Sequence, residues 1–151
     1  MEEVSIIGLD LAKRVFQVHG NDAQGRVQYS KKLSRAQMLG FFSCHPRCVV
    51  AMEACASSHY WGREIGALGH EVRLIPAQYV KPFVKRGKND AADAEAICEA
   101  AVRPNMRFVG VKSEAQHRAV PIFLKSKRWV KLALFQSVRA TFSRPNGREA
   151  L

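Results

Sequence analysis

Negative charge is scarce in this chain. Only 13 Asp and Glu stand against 24 Lys and Arg in 151 residues, a net charge of +11. Such a balance says little about fold and much about partners, and polyanions such as nucleic acid come first. The four cysteines, Cys44, Cys48, Cys55 and Cys98, contain no CxxC pair, so the usual zinc and redox spacings are missing. Cys44 and Cys48 do flank His45, but Cys48 opens an apolar run that reads as a strand. Buried, reduced thiols of a cytosolic protein are the expectation. No apolar run is long enough to span a bilayer, and the start, Met1-Glu2-Glu3, is acidic where a signal peptide is basic. A glycine-rich phosphate loop is also missing, which argues against a sugar-kinase-like ATPase, although Gly8-Leu9-Asp10 also opens folds of that type.

What is present looks globular: 47% hydrophobic and 25% charged residues, enough for one domain with a real core. Val4 to Leu11 is a short apolar run and predicts a buried central strand. Val15 to His19 alternates, Arg26 to Leu33 is a further strand candidate, and Gly20 to Gly25 between them is a turn cluster. Ser34 with Gln37 forms a capping-box pattern before a helix to about Ser43 that buries Met38, Leu39, Phe41 and Phe42. Cys48 to Glu53 predicts a second buried strand. Ser57 or Ser58 caps a helix over Tyr60 to Leu68, closed by Gly69. Glu71 to Ile75 is a short strand stopped by Pro76, Gln78 to Lys88 is a basic loop, and a helix runs from Asn89 to Val102. The order β-β-β-α-β-α-β-α predicts an α/β fold, a mixed sheet with helices on both faces.

Four carboxylates stand out. Asp10 lies in a strand expected to be buried, where an unpaired charge is costly. Glu53 ends another strand, and functional groups gather at such ends in open sheets. Asp90 and Asp93 are three apart at a helix start and share a face. They follow Lys81, Lys85, Arg86 and Lys88, which are interleaved with Tyr79 and Phe83, a mixture suited to nucleic-acid backbone and bases. A capping role for Asn89 or Asp90 explains part of this pattern as well. Four acids together can hold two divalent ions about 3.5–4 Å apart, the arrangement that serves phosphoryl displacement. Hard ions such as magnesium prefer these oxygens.

Three stretches carry a resemblance: Gly8-Leu9-Asp10-Leu11-Ala12-Lys13, Met52 through Trp61, and Lys88-Asn89-Asp90-Ala91-Ala92-Asp93-Ala94-Glu95-Ala96-Ile97. Together with Leu68 to Pro82, they closely resemble the DEDD transposases of bacterial insertion sequences, from about residue 4 to about residue 116. The resemblance implies a RuvC-like domain of ribonuclease H-like fold over residues 1–112, built on a five-stranded mixed sheet. It implies that Asp10, Glu53, Asp90 and Asp93 are the catalytic, metal-coordinating tetrad for Mg2+ or Mn2+, and that Lys81, Lys85, Arg86 and Lys88 contact nucleic acid. It further implies DNA of the mobile element and its target as partners, an element-encoded guide RNA, homo-oligomers, no membrane, and a bacterial cytoplasmic location. Asn89 stands where the family usually has threonine, and either residue can cap the helix.

Residues 113–151 depart from the family. Ser113-Glu114-Ala115-Gln116 fits the start of its long helical segment, but Pro121 interrupts the text and Val120 to Phe135 sustains no heptad. This stretch holds 8 basic and 2 acidic residues, net +6, while residues 1–112 hold 16 and 11, net +5. The expectation is an atypical basic tail, partly helical or disordered, left by a truncated or frameshifted reading frame without the second, serine-bearing domain. A genuine basic arm is the alternative. The functional expectation is a transposase or transposase fragment. Two rivals stand beside it: a stand-alone RuvC-like nuclease, and a non-catalytic nucleic-acid-binding remnant.

Overall fold

The computed structural model describes residues 3–85 and 89–118. Five strands form one sheet: β1 (Ile6–Asp10), β2 (Val15–Asn21), β3 (Val27–Ser34), β4 (Val49–Glu53) and β5 (Glu71–Ile75). Their order across the sheet is β3-β2-β1-β4-β5. β1 to β3 form an antiparallel meander, and β4 and β5 run parallel to β1. The sheet is therefore mixed, as the alternation of elements demands. The hairpin turn is narrower than the sequence suggests. Gly20 and Asn21 belong to β2, and the reversal is made at Asp22 to Gly25. Asp22 Oδ1 accepts from the amides of Gln24 and Arg26, both at 2.9 Å, and Gly25 takes φ +81. An Asx-type turn thus does the work expected of a glycine-rich one.

Alternation along the strands sends side chains to two cores. Ile7, Leu9, Val50, Met52 and Leu74 face α1 (Met38–Cys44) and α2 (Ser58–Ala67), where Phe42, Trp61 and Ile65 complete the larger core. Ile6, Ala51 and Ile75 face α4 (Asp90–Ala101) and Val80 of α3 (Ala77–Val80), packing on Ala96, Ile97 and Ala100. Helices cover both faces, as predicted. On α1, Met38 and Phe42 are buried, but Leu39 and Phe41 only half so, because the short helix turns just one edge to the sheet. Two of the four thiols, Cys44 and Cys55, are exposed; Cys48 and Cys98 are buried as expected.

Helix starts differ in how they are capped. Ser34 and Gln37 form the expected capping box, Gln37 Oε1 accepting from the Ser34 amide at 2.9 Å. Ser57 holds the N-cap position of α2 without a side-chain cap bond. The Ser58 hydroxyl turns back to Cys55, donating to its carbonyl at 2.9 Å and accepting from its amide at 3.0 Å. Asn89 caps α4 as expected, its Oδ1 accepting from the Ala91 amide at 3.2 Å. The stretch read as one basic loop starts with a turn of α-helix, α3, and a 3-10 turn at Lys81–Phe83. Pro76 precedes α3 and Pro82 sits in the next turn, both at places where a missing amide costs nothing.

Beyond α4 the chain crosses back over β5 and α2. The Val109 amide donates to Leu74 O at 2.8 Å, and Val111 fills the space above Gly62. Arg63 Nη1 donates to Lys112 O at 2.7 Å, and the Lys112 amide donates to His59 Nδ1 at 3.2 Å. A last helical turn, α5 (Glu114–Arg118), begins with a capping box between Ser113 and Gln116. The expected basic tail lies almost wholly outside the described residues. No described helix is long and apolar enough to cross a membrane.

Candidate metal centre

Two parallel strands bring the first pair of acids together. Leu9 and Met52 are the last registered pair of β1 and β4, so Asp10 and Glu53 are the next residues on adjacent strands. Both are even steps from Gly8 and Ala51, and alternation turns them to the α4 face. Both are half-buried. α4 lies close against that face because Gly8 has no side chain. A Cβ there would collide with the Ala94 carbonyl oxygen and stand 3.0 Å from the Cys98 amide. Ala94 follows Asp93 directly, so this close approach carries the first turn of α4, with Asp90 and Asp93, toward the strand ends.

The electrostatics record the convergence. Burial first, and then the charges of Asp93, Asp90 and Glu53, together raise the Asp10 carboxyl from its ordinary 3.8 to about 6. The four acids therefore share one field. Among the described residues no three such side chains stand close enough together to hold an ion as placed. The grouping is looser than a closed cage. Its chemistry still fits a hard divalent cation: four carboxylates, no softer ligand, and mutual repulsion that a positive ion would relieve.

The basic residues divide. Lys81 is exposed on the 3-10 turn. Lys85 is exposed but engaged, its Nζ 2.6 Å from Glu95 Oε1 on α4. Arg86 and Lys88 lie outside the described residues. The Lys85–Glu95 pair was not read from the sequence. Ten positions separate its members, and no local pattern pairs residues at that spacing.

Gln17 was also missed. It is the registered partner of Asp10 across β1 and β2 and lies on the same face. It is 5% exposed, its Nε2 donates to Ser30 Oγ at 3.1 Å, and its Oε1 is buried without a partner among the described residues.

No family model matches the chain. Several curated sequences do. It is 55% identical over 138 residues to a protein of Pseudomonas aeruginosa named probable family 20 transposase, covering 90% of this chain and 41% of that one. It is 48% identical over 116 residues to the transposase for insertion sequence element IS1328 of Yersinia enterocolitica, covering 77% and 35%. With the transposase for insertion sequence element IS1111A of Coxiella burnetii it shares 40% over 141 residues, covering 92% and 39%. The chain thus spans about two fifths or less of the length of the curated relatives it matches. A solved structure of T. thermophilus RuvC in complex with a Holliday junction substrate overlaps 63% of this chain and 90% of its own at 13% identity, with TM-score 0.42.

Proposed function

We propose that this chain is the metal-binding first domain of an insertion-sequence transposase, acting on the DNA of a mobile element through metal-dependent strand cleavage. The observation that carries the reading is the common field of Asp10, Glu53, Asp90 and Asp93 at the ends of two adjacent parallel strands and one helix. The similarity to named transposases, which spans most of this chain, supports it. The strand order, with one antiparallel hairpin beside three parallel strands, is consistent with the ribonuclease H-like architecture the resemblance implies.

In this reading Asp10 and Glu53 offer ligands from the sheet, and Asp90 and Asp93 complete the set from α4. When bound, Mg2+ or Mn2+ supplies the positive charge that offsets the negative charge built up at a phosphodiester under attack. Asn89 fixes the first turn of α4 and with it the aim of Asp90 and Asp93. Lys81, with Arg86 and Lys88, attracts phosphates; these contacts position DNA and carry no sequence information. Lys85 joins them only when it leaves Glu95. An element-encoded RNA and further copies of the chain are proposed partners on the resemblance alone.

Manganese titration of the purified chain tests the centre. Saturable binding that raises the melting temperature, and is lost in D10N and in D90N, is the expected result. No binding by the unaltered chain would sink the metal reading. Incubation with Mg2+ and branched DNA separates the rivals: cleavage by this chain alone, lost in D10N, would favour a stand-alone nuclease.

A further inference from the structure

On β2, Gln17, His19 and Asn21 alternate onto the face that meets α4, and all three are buried, at 5%, 5% and 8% exposure. Each carries a buried polar atom without a partner among the described residues: Gln17 Oε1, His19 Nε2 and Asn21 Oδ1. Leaving such an atom unpaired costs about 1–3 kcal/mol, so three on one strand face ask for an explanation. His19 and Asn21 line a groove of about 550 Å³ with Glu95, Cys98 and Glu99. Gln17 is not part of that lining. What it has beside it is Asp10, its registered neighbour.

Resting on the metal centre proposed above, we infer that Gln17 is a positioning residue of that centre: its free Oε1 accepts a hydrogen bond from hydration water of the ion held at Asp10. Three observations carry this. The pairing register sets Gln17 and Asp10 side by side, where facing Cβ atoms stand about 4.5–5.5 Å apart. Ser30 holds the amide by its nitrogen end, which leaves the oxygen end as the free one. Hard divalent ions such as magnesium retain several waters when bound by carboxylates, and the hydrogens of those waters need acceptors. A neutral amide supplies one without adding a fifth negative charge to a cluster that already repels itself. Partners outside the ligand set commonly change metal affinity by about 10–100-fold.

The test is Mn2+ affinity of the full chain, followed by calorimetry or by the free-ion electron paramagnetic resonance signal, with metal-free melting measured in parallel. Q17M keeps the size and removes the acceptor. It is expected to bind Mn2+ about tenfold more weakly while its metal-free melting temperature holds or rises, since an unpaired polar atom has been removed. Q17E restores an acceptor oxygen and adds a negative charge, and is expected to bind at least as tightly as the unaltered chain. If Q17M binds as the unaltered chain does, or Q17E is as weak as Q17M, the inference falls while the metal centre stands. If the unaltered chain binds no Mn2+, both fall. Should Q17M fail to fold, S30A releases the amide without touching β2. A several-fold loss of affinity then supports the role, and unchanged affinity overturns it.

Discussion

Gly8 lies directly beneath the backbone carbonyl of Ala94, with no room for even one methyl group. The contact seats α4 on β1, two residues from Asp10 and one from Asp93. The opposing atom is backbone and cannot swing aside. G8A should therefore cost at least about 3 kcal/mol, the upper part of the range for overpacking. It should also weaken Mn2+ binding, because α4 is pushed off the strand ends. Urea denaturation and metal titration of the variant check both parts. A G8A chain with unaltered stability would mean that α4 does not sit where it is described.

The Asp10 carboxyl gives stability a pH dependence. In the fold it titrates near 6, and its ordinary value is 3.8. Between these values the folded chain holds a proton that the unfolded chain has released. The stabilisation is complete below 3.8 and is lost as pH rises through about 6. Without metal the chain should therefore be less stable at pH 7 than its other groups would make it. D10N should melt higher than the unaltered chain at pH 7, and the gap should close below pH 4. Saturating Mn2+ should reverse the order at pH 7, since only the unaltered chain gains the ion.

The Asn89 side chain caps the start of α4. N89A should lower stability by about 1 kcal/mol, and N89T, which keeps a capping oxygen, by much less. The first turn frays when its cap is lost, so Mn2+ affinity should fall in N89A by more than its change in stability would suggest. Hydrogen exchange of the Ala91 and Ala92 amides reads the fraying directly.

Lys81 and Lys85 should behave differently toward DNA. K81A should weaken binding about equally on all sequences and lower the slope of log affinity against log salt by about 0.9. K85A should do little, because Glu95 already holds that ammonium group. E95Q should free it and tighten binding. A K85A effect as large as that of K81A would show that the Lys85–Glu95 pair opens in the complex.

Much of this was legible in the residues. The apolar runs at Val4 to Leu11 and Cys48 to Glu53 marked the central strands, and Asp10 and Glu53 in them marked the candidate site. Asp90 and Asp93 were legible from their spacing and from the Asn89 cap. Other features were hidden for physical reasons. The alternation of Val15 to His19 looks like a strand with one wet face, yet α4 covers that face, so Gln17 and His19 are buried polar residues, joined by Asn21 from the stretch read as a turn. No local pattern shows which helix will lie on which strand. The turn of α3 was hidden behind Pro76, which read as the stop of a strand and here also precedes a helix. The Lys85–Glu95 and Asp10–Gln17 relationships depend on chain reversal and register, neither of which composition records.

The two margins of the sheet are unequal. At β5 the bridge from Val109 occupies part of the hydrogen-bonding edge, while β3 forms the opposite margin, with no further strand beside it among the described residues. Lys31 and Lys32 are both exposed on that strand, Lys31 with its ammonium group 4.2 Å from the Phe41 ring centroid, and a second copy approaching strand to strand would meet like charge. Two copies paired along β3 would set lysine against lysine, a repulsion that added salt would weaken.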